Sequence, residues 1–347
     1  MAINNDSRNE QYAEVKERLK RKSVLNRILG KSSVIQDVRR KIEQIAACDA
    51  NVLIYGESGT GKEPAARCVH YLSARAGNPF VPVNCGAIPE NLFENELFGH
   101  VKGAYTDAGT QQDGLVTEAN GGSLFLDEVG VISPYIQVKL LRLLQDKEYK
   151  PLGDARHRSA DIRIIAATNE DLYGMVKKGT FREDLYYRLN IVSLHIPPLK
   201  ERKEDIPLLA DHFLEMYARQ YNRPVTGISP EAMQRLLAYS WPGNIRELEN
   251  IIQQALILAA GELMGAPDIQ IPQSHVTTKP KTGTFEEFNK AKKKIIDTFE
   301  KNYLIKLLTK FNGDMVSAAA TAGKSRTALW NLCSKHKIHP KQFTREQ

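Results

Sequence analysis

The segment Gly56-Glu57-Ser58-Gly59-Thr60-Gly61-Lys62 follows the apolar run Asn51 to Tyr55 and opens a stretch of helical pattern. Three glycines in those seven residues let the backbone turn tightly between a strand and a helix while its N–H groups stay free to face one point. A strand, glycine turn and helix in that order belong to an α/β fold. Four more strand-like runs follow, Phe80 to Asn84, Ser123 to Leu126, Ile162 to Ala167 and Ile191 to Ile196, each separated from the next by a helical pattern. The alternation predicts a parallel sheet with helices on both faces.

The glycine loop can cradle phosphates, with Lys62 reaching a nucleotide's beta and gamma groups. Its successor is Glu63, where the general motif has a Ser or Thr hydroxyl for magnesium, and a chance glycine turn is the alternative at this point. A second feature shifts the balance. The run Gly122-Ser123-Leu124-Phe125-Leu126 ends in Asp127-Glu128, two adjacent carboxylates closing a buried strand. At the carboxyl edge of such a sheet, Asp127 is placed to bind Mg2+ and Glu128 to polarise a water for attack on a gamma phosphate. Otherwise they are solvated acids capping the next helix. The run from Ile162 ends in Thr168-Asn169, polar groups positioned to sense phosphate from a neighbouring strand. Together the three features predict an NTPase.

With 347 residues the chain has room for two or three folding units. A 42% apolar and 26% charged composition excludes wholesale disorder. Without a long apolar run or an apolar centre near the N-terminus, no membrane span or signal peptide is expected, and the location expected is cytoplasmic. Cys48, Cys68, Cys85 and Cys333 form no C-x-x-C pair and read as core residues. The net charge of +7 is uneven: residues 274–347 hold 15 Lys/Arg against 6 Asp/Glu, and the middle of the chain is mildly acidic. That is the balance of a catalytic body joined to a nucleic-acid-binding tail. The predicted organisation is a charged helical lead-in (1–27), an α/β domain (28–198), a three-helix lid (199–261), a linker (262–284) and a basic terminal domain (285–347).

These residues resemble the AAA+ domain of bacterial enhancer-binding proteins, activators of RNA polymerase carrying sigma-54. In that family a Glu such as Glu63 after the loop lysine is usual, Val83-Asn84-Cys85 is similar to the segment whose Asn restrains the catalytic glutamate, and Ile28-Leu29-Gly30 resembles the edge of the adenine pocket. Phe181 to Leu189 resembles the arginine-finger segment, with Arg182 and Arg188 as fingers for a neighbouring subunit. An ion pair with Glu183 or Asp184 inside the subunit is the alternative for either. Trp241-Pro242-Gly243-Asn244-Ile245-Arg246-Glu247-Leu248 is similar to the lid motif and makes Arg246 a sensor in cis. The resemblance implies a hexameric or heptameric ring. The stretch Gly103-Ala104-Tyr105-Thr106-Asp107-Ala108 resembles the loop that engages sigma-54, whose signature is G-A-F-T-G-A; Tyr keeps the aromatic face, and Asp adds a negative charge per subunit.

In the basic tail, an apolar stripe from Phe285 to Phe311 precedes a break at Asn312-Gly313-Asp314, a helix from Met315 to Ala322, a turn at Gly323 and a helix from Ser325 to about Lys335. This helix-turn-helix layout is similar to the Fis-type terminal domain of the same activators, which dimerises and reads double-stranded DNA. Arg326, Thr327 and Asn331 are candidates for base edges, Lys324 and Lys335 for phosphates, Ser325 for the helix cap and Trp330 for core or groove wall. A helical oligomerisation bundle is the alternative. Overall the reading is an ATP-driven activator that binds upstream DNA and remodels sigma-54 holoenzyme at closed promoters. The alternatives are a regulator or repressor of the same ancestry uncoupled from sigma-54, and an AAA+ unfoldase or helicase loader. A receiver domain would need more chain than precedes residue 28, so control by a partner in trans, or a longer parent protein, is expected.

Overall fold

Val52–Tyr55 (β1), Phe80–Asn84 (β2), Ser123–Asp127 (β3), Arg163–Thr168 (β4) and Val192–His195 (β5) form one parallel sheet in the order β2-β3-β4-β1-β5. The computed structural model describes residues 23–104, 109–259, 261–271, 288–336 and 338–343. Side chains alternate between the sheet's faces with period two, and both faces are covered. On one face Val52, Ile54, Phe125, Ile165 and Ala167 pack against Ser33–Ala46 (α1) and Lys62–Tyr71 (α2). On the other, Leu53, Leu124, Leu126, Ile164 and Ala166 meet Glu90–Phe98 (α3) and Pro134–Asp146 (α4). α1 shows why these segments are helical: Ser32 caps it by accepting from the Ile35 N–H, and Ile35, Val38, Ile42 and Ile45 line one buried face. The short helix Glu183–Leu189 (α5) leads into β5.

The five strands expected from the sequence are present within a residue or two of their ends. The lid also has its three helices, Ile206–Gln220 (α6), Pro230–Ala238 (α7) and Asn244–Leu258 (α8), around a core of Leu209, Trp241, Leu248 and Ile252. Its end lies further on than expected. Leu263–Met264 pairs in parallel with Gly227–Ile228, and Met264 and Ile269 are buried in the lid core, so residues 262–271 belong to the lid and not to a linker. The chain divides between Ile271 and Pro272. Most of the expected lead-in, residues 1–22, and much of the expected linker fall outside the described residues.

The second unit holds Phe288–Lys310 (α9), Met315–Thr321 (α10) and Arg326–Lys335 (α11). Asn312 and Gly313 take left-handed conformations (φ 47° and 78°) that end α9, and Asp314 then caps α10 through the Val316 N–H. Gly323 (φ 62°) makes the turn, and Ser325 caps α11 through the Ala328 N–H. Leu304, Leu308, Met315, Ala318, Leu329 and Cys333 form the core of this unit. No described helix is long and apolar enough to cross a membrane.

Cys48 is exposed while Cys68, Cys85 and Cys333 are buried, and burial pushes the Cys68 thiol to about 11 and that of Cys85 to about 12. Because the thiolate is the reactive form, a thiol reagent at pH 8 should titrate one fast equivalent in the native protein, at Cys48, and the other three only on unfolding.

Candidate nucleotide site and its flanking surfaces

The loop from Gly56 to Lys62 lies between β1 and α2, beside a cavity of about 350 Å³. Gly59 and Gly61 have positive φ (74° and 102°), and a Cβ on Gly59 would lie 2.3 Å from the Gly243 carbonyl, so only glycine fits there. Lys62 is buried, and its Nζ donates to the Gly56 and Glu57 carbonyls at 2.9 and 3.1 Å. Burial lowers its pKa, Asp127 and Glu128 oppose that, and Arg246 adds to it. Both carboxylates and the lid arginine thus act on the lysine across the cavity. Ser58, Thr60 and Glu63 also line it, Thr60 with its hydroxyl donated to the Glu57 carbonyl at 2.8 Å. Glu63 projects from the first turn of α2 and pairs with Arg67 at 2.7 Å.

Glu128 sits in the left-handed region (φ 56°) immediately after β3, held by a bond from its own N–H to Asp127 Oδ1 at 3.0 Å. Gly86 admits its carboxylate: a Cβ there would be 2.5 Å from Glu128 Oε2 and 3.5 Å from Asn84 Oδ1. Asn84 therefore neighbours the glutamate. It makes no direct bond to it, since its Oδ1 accepts from the Gly86 and Ala87 N–H groups at 2.9 and 3.1 Å. Leu29 lines the cavity with Arg27 and Ile28, and Gly30 packs where a Cβ would meet Asp205 at 2.8 Å.

Thr168 and Asn169 line a second groove, together with Gly56 and Glu57 of the loop, Tyr55 and Tyr173; Thr168 is buried, and its Oγ1 accepts from the Glu170 N–H at 2.9 Å. The hydroxyl caps its own turn instead of facing the cavity.

Several residues of the site had no signal of their own in the sequence. Arg202 is buried, with its pKa lowered to about 10 by burial, and donates to the Thr60 carbonyl at 2.8 Å. Asp205 is fully buried and accepts from Lys31 N, Ser32 N and Ser32 Oγ at 2.6, 2.8 and 2.7 Å, tying the lid to the entry of α1. Asn244 is fully buried against the loop. Only the motif spacing around Trp241-Pro242-Gly243 pointed toward Asn244.

The sigma-54 interaction domain family matches residues 28–195, and the AAA+ ATPase lid domain family matches residues 200–307. Regulatory protein AtoC of Escherichia coli (strain K12) is 46% identical over 316 residues, 90% of this chain and 68% of AtoC. The chain belongs to the sigma-54-interacting AAA+ regulators. Transcriptional regulatory protein ZraR of Salmonella typhimurium is 45% identical over 302 residues, 87% of this chain and 67% of ZraR. The crystal structure of NtrX from Brucella abortus in complex with ADP is similar at a TM-score of 0.65 and 34% identity, covering 97% of this chain and 76% of NtrX; the ATP complex gives 0.64. The domain is an AAA+ ATPase domain, of a kind that binds nucleotide.

In this sigma-54 regulator the two candidate finger arginines differ. Arg182 makes a two-pronged pair with Asp184 at 3.0 and 2.7 Å, the alternative left open by the sequence. That pair holds the Asp184 carboxyl below its usual range. Arg188 is exposed, with no ion pair among the described residues, and neither arginine lines the cavity. Gly103 and Ala104 stand beyond a ladder in which Gly99–His100 pairs antiparallel with Gln112–Asp113. A second hairpin, Glu148–Tyr149 with Arg158–Ser159, supports them through Val101 N to Leu152 O at 3.0 Å and an Arg158–Asp113 ion pair at 3.4 Å. Tyr105, Thr106, Asp107 and Ala108 lie outside the described residues.

On α11, Arg326, Thr327, Trp330 and Asn331 are exposed along with Lys324 and the capping Ser325. Trp330 is therefore surface and not core. Lys335 requires correction as a phosphate contact: its Nζ pairs with Asp297 at 2.8 Å and Glu300 at 2.7 Å of α9, which also receives His336. Two carboxylates already neutralise that ammonium.

A charge-assisted hydrogen bond contributes about 1.5–3 kcal/mol. Lys62→Ala should therefore weaken ATP binding by about 10- to 100-fold, measured by fluorescence titration with a labelled nucleotide.

Proposed function

We propose that the chain is an ATP-driven transcriptional activator: subunits assemble into a hexameric or heptameric ring, cleave ATP at shared sites and use the energy to remodel closed complexes of sigma-54 RNA polymerase. The observation that carries this is the placement of charge around the cavity. Lys62, Asp127, Glu128 and Arg246 face it from one subunit, whereas Arg188 is exposed and unpaired away from it. A phosphoryl transition state needs more positive charge than Lys62 and Arg246 supply, and a neighbour's Arg188 provides it. Arg182, occupied by Asp184, orients the segment that carries Arg188.

Glu128 is the base that polarises the attacking water, and Asn84 restrains it through the Gly86 turn. Asp127 uses one oxygen on the Glu128 N–H and offers the other to an oxygen-ligated cation, a donor set that fits Mg2+. Mg2+ held there would neutralise charge on the phosphates. Thr168 and Asn169 sense the phosphate indirectly, through the Gly56 N–H that donates to the Thr168 carbonyl at 3.3 Å. The loop from Gly103 to Ala108 contacts sigma-54, braced by the second hairpin.

The terminal unit dimerises and inserts α11 into a major groove, Arg326, Thr327 and Asn331 meeting base edges while Lys324 holds a phosphate.

ATPase activity per subunit should rise with protein concentration, and Arg188→Ala should lower kcat by about 10³-fold or more, with Arg182→Ala milder. Equal specific activity in dilute, monomeric material would defeat the shared-site reading. Binding to upstream DNA should weaken steeply with salt, and Lys324→Ala should reduce the log–log slope by about 1. Lys335→Ala should leave the slope unchanged.

A further inference from the structure

The lid and the phosphate loop are joined by a set of hydrogen bonds, and one fully buried side chain lies at their centre. Asn244 opens α8 in the left-handed region (φ 54°), with no exposed surface. Its Nδ2 donates to Glu57 Oε2 at 3.1 Å and to the Ser58 carbonyl at 3.0 Å. Its Oδ1 accepts from the Leu199 N–H at 2.7 Å, on the segment that leaves the α/β domain for the lid. Around it, Ile245 N–H donates to the Gly59 carbonyl at 2.9 Å, Arg246 Nη1 to Ser58 Oγ at 3.1 Å and Arg202 to the Thr60 carbonyl. Lys200, on the same connecting segment, pairs with Glu57 at 2.8 Å. Four consecutive loop residues, 57–60, are thus bonded to groups of the lid or of the connection leading to it.

We infer that Asn244 is a positioning residue for ATP hydrolysis, and that with Glu57 it forms a latch fixing the phosphate loop to the angle of the lid. The loop's N–H groups face the phosphates, so its carbonyls face away and must be satisfied elsewhere. Here the lid satisfies them. A tilt of the lid breaks buried hydrogen bonds to the loop unless the loop follows, so the two move as one body. Asn suits the position twice over: it tolerates positive φ, and its amide presents a donor toward the loop and an acceptor toward the connecting segment. The inference rests on ATP being hydrolysed at this site.

The test is steady-state ATPase of the full chain at saturating assembly. Asn244→Asp keeps the size, the backbone tolerance and the acceptor for Leu199, but turns an oxygen toward Glu57 and the Ser58 carbonyl. It should lower kcat/KM by about tenfold, acting on KM and kcat together as displacement of a moving element does. Adding Glu57→Gln, which restores a donor across the pair, should recover about threefold or more of that loss. Asn244→Asp with wild-type KM and kcat, or a loss that Glu57→Gln does not relieve, overturns the latch. If Asn244→Asp fails to fold, Glu57→Ala alone must raise KM, and unchanged kinetics in that variant also overturn it. Absence of turnover in the unsubstituted chain would refute the ATPase reading instead.

Discussion

A loop that points its N–H groups at phosphates turns its carbonyls the other way, out of any regular ladder. In this chain those carbonyls are met by Asn244, Ile245 and Arg202, and by the ammonium of Lys62 itself. An unmet buried carbonyl costs about 1–3 kcal/mol, so the loop conformation and the docked lid stabilise each other. The cavity exists because both are in place. Its electrostatics follow: burial lowers the pKa of Lys62, and Asp127 and Glu128 support its charged form.

The same economy of groups separates residues of like type. Arg182 and Arg188 lie six positions apart, yet one is closed on Asp184 and the other is unpaired among the described residues. Lys324 precedes α11 and Lys335 ends it, yet of the two only Lys324 lacks a carboxylate partner among the described residues. In each pair, the side chain with a neighbour in its own subunit is held as structure, and the other remains available to another molecule. Exposed surface ion pairs add little to stability, so their main effect here is on which charges stay available.

Much of the fold was legible because burial imposes periods. Five apolar runs at strand length, separated by helical patterns, specify a parallel α/β sheet. Caps such as Ser32, Ser229 and Ser325 mark helix starts by local chemistry that needs no tertiary information. The lid's true end was not legible, because Leu263–Met264 is too short to show a period and is a strand only by pairing with Gly227–Ile228.

The sequence by itself determined the glycine turn, the paired carboxylates at the end of β3 and the helix-turn-helix punctuation, since each depends on residues close together in the chain. It also carried the family, through motifs that hold their spacing. Only the folded structure showed which polar groups are already engaged: Thr168 on its own turn, Arg182 on Asp184, Lys335 on Asp297 and Glu300, and Arg202 on the Thr60 carbonyl. The pairing of Lys335, the contact of Arg202 and the contacts Asn244 makes with Glu57 and Ser58 are set by distances that close only when separate elements pack. A linear pattern of residue types contains no such distances.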